Sequence, residues 1–208
     1  MKDIVKLGLI LAAFAAAACV GLAFVNQATE GQIAINQEKQ LNESLKGLFP
    51  EAEKFNDITK ELTLADPAVK LEAAYLVERG GAPLGIAAKA SGNSYGGVTT
   101  VLVGLGLDRR IAGVRVLDTK DTPGLGANAA VPTYFVDKTS KTTFPGQFTG
   151  KALSDPFVVK EDIAAITAST ITSKAITKII KASADAAGAR LEAIAMAPPA
   201  PADAAGGK

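Results

Sequence analysis

The chain of 208 residues contains no histidine, no tryptophan and only one cysteine, Cys19. These absences exclude zinc sites built from histidine and cysteine, serine–histidine catalytic triads, disulfides and cysteine-ligated iron–sulfur clusters. The formal net charge is only +1, and the basic pair Arg109-Arg110 is too short to form a stripe that binds nucleic acid. We therefore expect the chemistry to come from a bound group, with no protein-bound metal and no nucleic-acid partner.

An uncharged apolar run near the N-terminus predicts a transmembrane helix. Residues 7–25 rise by about 1.5 Å each and nearly span the hydrocarbon core of a bilayer, which is about 30 Å thick. A cleaved signal peptide is the alternative, but the run continues past Cys19, unlike a lipoprotein signal. Lys2 and Lys6 precede the run, so the positive-inside rule predicts a cytoplasmic N-terminus and an extracytoplasmic remainder. Small residues at i, i+4 spacing favour docking onto other membrane subunits.

The apolar segments that follow predict an α+β fold. Ranges 71–77, 84–90, 98–107 and 111–117 have the composition of strands, and the last two are separated by the three-residue loop 108–110. Because short turns rather than helical crossovers join consecutive strands, the sheet should be mainly antiparallel, with helices packed on it.

Helical spacing of apolar residues predicts two further helices. A connecting helix over 33–48, with leucines at i, i+4 and i+7, ends before Pro50. A last helix is predicted from Ser173 onward, with Thr172 or Ser173 as its cap. Its apolar face contains Ile176, Ile179, Ile180 and Ala187. The segment 196–208 is rich in alanine and proline and is predicted to be disordered.

A turn directly after the predicted strand 111–117 is the first segment suited to binding a ligand. It consists of Thr122, Pro123, Gly124, Leu125 and Gly126. Proline and glycine favour a turn whose backbone N–H groups face a ligand without obstruction by side chains. Taken alone, such a sequence is more often only a turn.

The hydroxyl-rich stretch 166–174, which leads into the last helix, is the second such segment. Free N–H groups and the positive dipole end of a helix suit a phosphate, and Lys174 adds a cation. A capping loop that binds nothing is the alternative, and this stretch alone does not decide between them.

Together, the pairing and order of the two segments resemble the FMN-binding domain of the G subunit of the Rnf electron-transport complex. The C subunit of the sodium-pumping NADH:quinone reductase shares this domain. The resemblance covers most of the chain and includes the single N-terminal anchor. Other matching features are Leu48-Phe49-Pro50, Tyr95-Gly96-Gly97 before a strand, and Gln147-Phe148-Thr149-Gly150-Lys151. The length of the chain favours the Rnf protein.

The attachment motif of that family reads Ser-Gly-Ala-Thr-x-Ser/Thr and falls on 167–172, with Thr170 at its fourth position. The resemblance implies that a flavin transferase moves FMN from FAD onto Thr170 as a phosphoester. It also implies that the turn of residues 122–126 lies against the flavin. The segment that would hold the phosphate contains Thr167, Ser169, Thr170, Thr172, Ser173 and Lys174.

Two positions depart from the family pattern. Ala168 stands where the motif has glycine, and Thr119 stands where a histidine often precedes the turn. Alanine restricts φ where glycine does not, so the conformation of residue 168 bears directly on the attachment site.

The resemblance implies a membrane-anchored flavoprotein subunit of an Rnf-type ion-translocating ferredoxin:NAD oxidoreductase. Such a subunit relays single electrons through FMN, has no stand-alone catalysis, and has the other membrane and redox subunits as partners. The alternatives are a cofactor-free structural or assembly subunit and the equivalent FMN subunit of a sodium-pumping NADH:quinone reductase. A respiratory regulator with the same domain is another, and an extracytoplasmic small-molecule-binding protein is disfavoured because aromatic residues are few.

The predicted domain organisation has four parts. Residues 1–26 form a cytoplasmic stub and a single-pass anchor in the cell (inner) membrane, and 27–70 form a connecting helical segment. Residues 71–195 form the FMN-binding domain outside the cytoplasm, and 196–208 form the disordered tail.

Overall fold

A computed structural model describes residues 2–196, which belong to two compact units, Met1–Glu43 and Ser44–Lys208. Helix α1, Lys2–Leu48, joins the predicted membrane and connecting helices without a break. No proline interrupts it, and the Thr29 hydroxyl donates a hydrogen bond to the Val25 carbonyl at 2.9 Å. Its most apolar 18-residue window has a mean hydropathy of 2.5, so α1 is long and apolar enough to cross a membrane.

A five-stranded antiparallel sheet forms the centre of the second unit, in the order β1-β2-β3-β4-β5. Its strands are β1 (Lys54–Asp57), β2 (Val69–Arg79), β3 (Ala82–Asn93), β4 (Val98–Gly106) and β5 (Ile111–Thr119). Gly80 and Gly81 join β2 to β3 with φ of 58° and 79°, the left-handed conformations of a tight two-residue hairpin. With the helices at either end, this confirms the predicted α+β fold and the mainly antiparallel sheet.

One face of the sheet packs against helix α2, Thr170–Met196. The predicted apolar face of this helix is confirmed, because Ile176, Ile179 and Ile180 are buried in a core shared with β3 and β4. Burying an isoleucine contributes about 1.5–3 kcal/mol, so these three fix the helix on the sheet. The prediction that the helix begins at Ser173 was wrong, because it begins at Thr170.

On the opposite face of the sheet, three glycines, Gly85, Gly104 and Gly113, form a shallow depression that holds the side chains of Leu48 and Phe49. A Cβ on Gly104 would come within 2.9 Å of the Phe49 ring, and one on Gly113 within 2.7 Å of Leu48 Cδ2. A Cβ on Gly85 would lie 3.1 Å from the same ring. Leu48 and Phe49 at the end of α1 therefore sit directly on the backbone of the sheet.

A long irregular segment connects β5 to α2. It contains β6 (Phe135–Asp137), β7 (Thr142–Thr143) and short 3-10 turns at Gly126–Ala130 and Gly146–Phe148. The Phe148 ring meets that of Phe144 edge-on at 5.7 Å and stacks on that of Phe157 at 6.0 Å. These buried rings attach the segment to the core that the sheet shares with α2.

The predicted connecting segment 27–70 is helical only as far as Leu48. A third 3-10 turn, Thr59–Glu61, and β1 follow, and β1 pairs with β2 as the edge strand of the sheet. A stretch that reads as a linker is therefore partly built into the sheet. Of the predicted tail, only Met196 belongs to the described residues, and 197–208 lie outside them.

Candidate functional site

A cleft of about 440 Å³ lies where three segments meet. Tyr95 contributes from the loop between β3 and β4, and the stretch from Asp121 to Gly126 contributes from the end of β5. The third wall is the start of α2. The residues that line the cleft are Tyr95, Asp121, Thr122, Leu125, Gly126, Ala168, Ser169, Thr170, Ile171 and Thr172. The two sequence segments expected to act together therefore form opposite walls of one cleft.

The turn after β5 is shaped by hydrogen bonds to its own backbone. The Thr122 carbonyl accepts from the Leu125 N–H at 3.1 Å and from the Ala127 N–H at 3.3 Å. Gly124 has a φ of 80°, a left-handed conformation that favours glycine. The turn therefore presents Thr122 and Leu125 to the cleft while Gly124 reverses the chain.

Gly126 is where the two walls come closest. A Cβ at this position would lie 2.6 Å from Thr172 Oγ1 and 2.8 Å from Asp121 Cγ. Both distances are shorter than a carbon atom tolerates, so any side chain here would push the turn away from α2. The glycine is required by this close approach, and it sets the width of the cleft.

The start of α2 is held by two serines. The Ser169 carbonyl accepts the Ser173 N–H and the Ser173 hydroxyl, both at 2.9 Å, while Ser173 Oγ accepts the Ile166 N–H at 2.9 Å. Ser169 therefore occupies the N-cap position, and Ser173, which is fully buried, locks the loop to the helix. This is the physical reason why α2 begins three residues before the predicted position.

Thr170 is the first residue of α2, half-buried and lining the cleft. Within residues 2–196, the N–H groups of Thr170, Ile171 and Thr172 have no hydrogen-bond partner. Free first-turn N–H groups and the helix dipole favour an anion at this end. The chemistry of this wall fits a phosphate group at the Thr170 hydroxyl.

Ala168 has a left-handed backbone, with a φ of 57°. This is the position where the family motif has glycine, and it is exposed. A glycine adopts this φ without cost, whereas an L-residue with a Cβ is strained by about 1–2 kcal/mol. Residue 168, where the family motif has glycine, therefore adopts with alanine a left-handed conformation that favours glycine.

Other predicted residues lie outside the cleft lining. They are Pro123, Gly124, Thr167, Ser173 and Lys174. The Thr167 N–H donates to the Tyr134 hydroxyl at 3.3 Å, and Lys174 borders a separate groove on α2. No lysine or arginine lines the cleft among the described residues, so the donors available to an anion there are backbone N–H and hydroxyl groups.

Four residues that line the cleft, Tyr95, Asp121, Ala168 and Ile171, were not predicted as site residues. Tyr95 and Ile171 are exposed by 73% and 61%, and Leu125 by 43%. Three large apolar side chains that remain exposed at one cleft suit the face of a flat aromatic ring. The sequence did point to Tyr95, because Tyr95-Gly96-Gly97 is one of the features that the chain shares with the family. Ile171 lies inside the attachment motif, at the position where the motif allows any residue.

A larger groove of about 800 Å³ runs along α2. Two of its three lysines already have partners: Lys178 pairs with Asp66 and Lys181 with Asp185, each at 2.8 Å. The hydrogen bond from Lys178 is the main reason why the pKa of Asp66 lies below its usual value, and the hydrogen bond from the Ala68 N–H lowers it further. Of the residues predicted to bind the ligand, only Lys174 lines this groove, so its size does not make it the site.

Comparison with known proteins identifies the domain that contains the cleft. The model of the FMN-binding domain family matches residues 94–185, which include every residue that lines the cleft. The RnfG N-terminal region matches residues 1–48. The G subunit of the Na⁺-translocating ferredoxin:NAD⁺ oxidoreductase complex of Acetobacterium woodii is 32% identical over 193 residues, covering 85% of this chain and 87% of that protein.

The chain belongs to the family of G subunits of ion-translocating oxidoreductase complexes. This confirms the family resemblance. The G subunit of the ion-translocating oxidoreductase complex of Cereibacter sphaeroides is 34% identical over 150 residues, or 72% of this chain and 65% of that relative's length. The G subunit of the proton-translocating ferredoxin:NAD⁺ oxidoreductase complex of Clostridium ljungdahlii is 30% identical over 155 residues, covering 72% of this chain and 73% of that relative.

Proposed function

We propose that this chain is the FMN-carrying electron-transfer subunit of a membrane-bound, Rnf-type ion-translocating ferredoxin:NAD oxidoreductase complex. We further propose that Thr170 carries the FMN through a phosphoester bond. One observation carries this proposal: Thr170 opens α2 inside the cleft of an FMN-binding domain, beside backbone N–H groups that have no partner among residues 2–196.

The cleft suits both ends of FMN. The first-turn N–H groups of α2 would bind the phosphate, and the dipole of this 27-residue helix favours its negative charge. The exposed side chains of Tyr95, Leu125 and Ile171 would cover the flavin ring and lose their contact with water. Gly126 would keep the turn close enough to α2 for the two walls to hold one ligand.

Attachment requires an exchange of phosphoester bonds. A flavin transferase would use FAD, in which a pyrophosphate bond joins FMN to AMP. The Thr170 oxygen would form a bond to the FMN phosphorus, the pyrophosphate bond would break, and AMP would leave. The hydroxyl proton would pass to a base of the transferase or to water. Because Thr170 is only half-buried, its hydroxyl is open to this second protein.

Bound FMN would supply reversible electron transfer, and the residues of this chain would position it and exclude water. Covalent attachment would suit a domain outside the cytoplasm, where lost FMN is not replaced from a free pool. Helix α1 would anchor the chain in the cell (inner) membrane with its N-terminus in the cytoplasm, following Lys2 and Lys6. The other membrane and redox subunits of the complex would be its electron donor and acceptor.

Replacement of the acceptor hydroxyl tests the proposal. The full-length protein is expressed together with a flavin transferase, and flavin fluorescence is read on a denaturing gel. We expect fluorescence from the wild-type protein and from T170S, which keeps a hydroxyl, and none from T170A. Intact mass should show the addition of one FMN minus one water in the fluorescent proteins.

Thr133→Ala is the matched control, because Thr133 is an exposed threonine that lies outside the attachment motif and does not line the cleft. T133A should remain as fluorescent as the wild type. A T170A band as bright as that of the wild type would refute attachment at Thr170. A wild-type protein without flavin, although active transferase was present, would refute the FMN-carrying function itself.

A further inference from the structure

The cleft wall contains a buried carboxylate that the proposed function does not use. Asp121 lies directly before the turn of residues 122–126 and is only 6% exposed, yet it lines the cleft. It is the only Asp or Glu among the lining residues of the described chain. A carboxylate removed from water needs a reason, because its burial costs free energy unless hydrogen bonds or opposite charges compensate it.

The partners of this carboxylate are electrically neutral. Asp121 Oδ1 accepts the Gly96 N–H at 2.5 Å, and Oδ2 lies 3.5 Å from the Thr119 hydroxyl. That hydroxyl is 2.9 Å from the Thr99 hydroxyl, which is itself 3.0 Å from the Ser94 hydroxyl. A chain of hydroxyl groups therefore runs from the loop before β4 to Asp121. Thr119, which stands where the family often has histidine, carries the hydroxyl next to Asp121.

No cation neutralises Asp121 in the described part of the chain. The adjacent Lys120 forms its ion pair with Asp118, at 3.2 Å, and none of the ion pairs among residues 2–196 includes Asp121. Neutral donors hold the carboxylate in place without cancelling its charge. The carboxylate therefore lies at the cleft without an ion-pair partner among residues 2–196.

The backbone on both sides keeps Asp121 from turning away. A Cβ on Gly96 would lie 2.8 Å from Asp121 Cα, and one on Gly126 would lie 2.8 Å from Asp121 Cβ. The loop between β3 and β4 and the turn of residues 122–126 thus enclose Asp121, and the Gly96 N–H holds its carboxylate in place. Asp121 is a fixed charge in the wall rather than a mobile surface group.

We propose that the carboxylate of Asp121 lowers the midpoint potential of the flavin held in this cleft. This inference rests on the proposed function, because it requires FMN to be bound there. A negative charge disfavours the addition of electrons to a nearby ring, and the interaction is strong where the wall excludes water. Because Asp121 lines this cleft, a ring bound in it would lie beside the carboxylate.

Asp121→Asn separates the charge of this residue from its hydrogen bond. The asparagine side-chain oxygen can still accept the Gly96 N–H, while the negative charge is lost. The midpoint potential is measured by spectroelectrochemical titration of full-length, FMN-loaded protein in detergent. We expect D121N to shift the potential to a more positive value. Asp118→Asn is the matched control, because it removes an exposed, lysine-paired carboxylate of the same strand end, and it should leave the potential unchanged.

Thermal unfolding of the flavin-free protein provides an independent measurement. D121N should unfold near the wild-type temperature, whereas Asp121→Ala, which loses the Gly96 bond, should unfold at a lower temperature. A D121N potential equal to that of the wild type, or an equal shift in D118N, would overturn the inference. Failure of D121N to take up FMN would also overturn it, because a residue that only tunes the potential is dispensable for attachment. These results leave the proposed function intact, which fails only if the wild-type protein takes up no FMN.

Discussion

Ala168→Gly should stabilise the protein, although glycine usually weakens a fold. Ala168 has a φ of 57° in the loop that leads to Thr170, and its side chain is exposed. An L-residue in this left-handed conformation is strained by about 1–2 kcal/mol, and glycine is not. Because the methyl group is exposed, its removal leaves no cavity in the core.

The stabilisation from relieving this strain is reduced because glycine has more conformational freedom than alanine in the unfolded chain. That effect costs about 0.4–1 kcal/mol when alanine is replaced. Subtracting it from the relieved strain leaves a net stabilisation of about 0.8 kcal/mol. For a chain of 150–250 residues, about 1 kcal/mol moves the unfolding temperature by about 2–4 °C. We therefore expect A168G to raise the Tm of this 208-residue chain by about 2 °C.

Differential scanning calorimetry of the flavin-free, full-length protein in detergent measures this change. Ala164→Gly is the matched control, since Ala164 is an exposed alanine of the same loop without a left-handed φ. Only the entropic cost applies there, so A164G should lower the Tm. A fall in Tm for A168G as large as that for A164G would refute the assignment of strain to residue 168.

Two further predictions concern stability. Gly104→Ala should destabilise the protein by about 1–3 kcal/mol, because the new Cβ would overpack the Phe49 ring. In a double-mutant cycle measured by chemical unfolding, Phe49→Leu should relieve part of that loss, and strictly additive effects of the two substitutions would refute the contact between Phe49 and Gly104. Burial raises the pKa of Asp162, but the Val158 N–H and the Lys151 ammonium outweigh it and hold that pKa below its usual value. The stability that Asp162 provides should therefore be present above about pH 3.9 and be lost as the pH falls through its depressed pKa. D162N should have a lower Tm than the wild type at pH 7 and should lose less Tm on acidification. A dependence of Tm on acid pH that is the same in D162N and the wild type would contradict this.

Local patterns in the sequence were sufficient for the regular elements. The four predicted strands coincide with β2, β3, β4 and β5 to within three residues at each end, because strand-forming composition and short turns are local features of the sequence. The apolar face of α2 was predicted for the same reason. Its starting residue was not, because the choice between possible caps depends on the buried hydrogen bonds of Ser173 to Ile166 and Ser169.

Elements without a local pattern were missed. The four residues of β1 form a strand only because they pair with β2, with Phe55 opposite Val77. The segment between β5 and α2 folds around the rings of Phe144, Phe148 and Phe157, whose contacts no spacing rule predicts. The pairing of β1 with β2 stabilises the first region, and burial of the three rings in the core shared with the sheet and α2 stabilises the second.

The apolar anchor, the antiparallel sheet, the family motif and Thr170 as the attachment candidate could all be read from the amino-acid order, because each depends on residues close together in the chain. The folded chain was needed to bring Tyr95 and Asp121 to the same cleft as Thr170. The folded structure was also needed to show that Ala168 has a left-handed φ, the conformation that favours glycine, which is the motif residue at this position. The walls of the cleft come from three separate segments, and their spacing is set where Gly126 meets Thr172 across the fold.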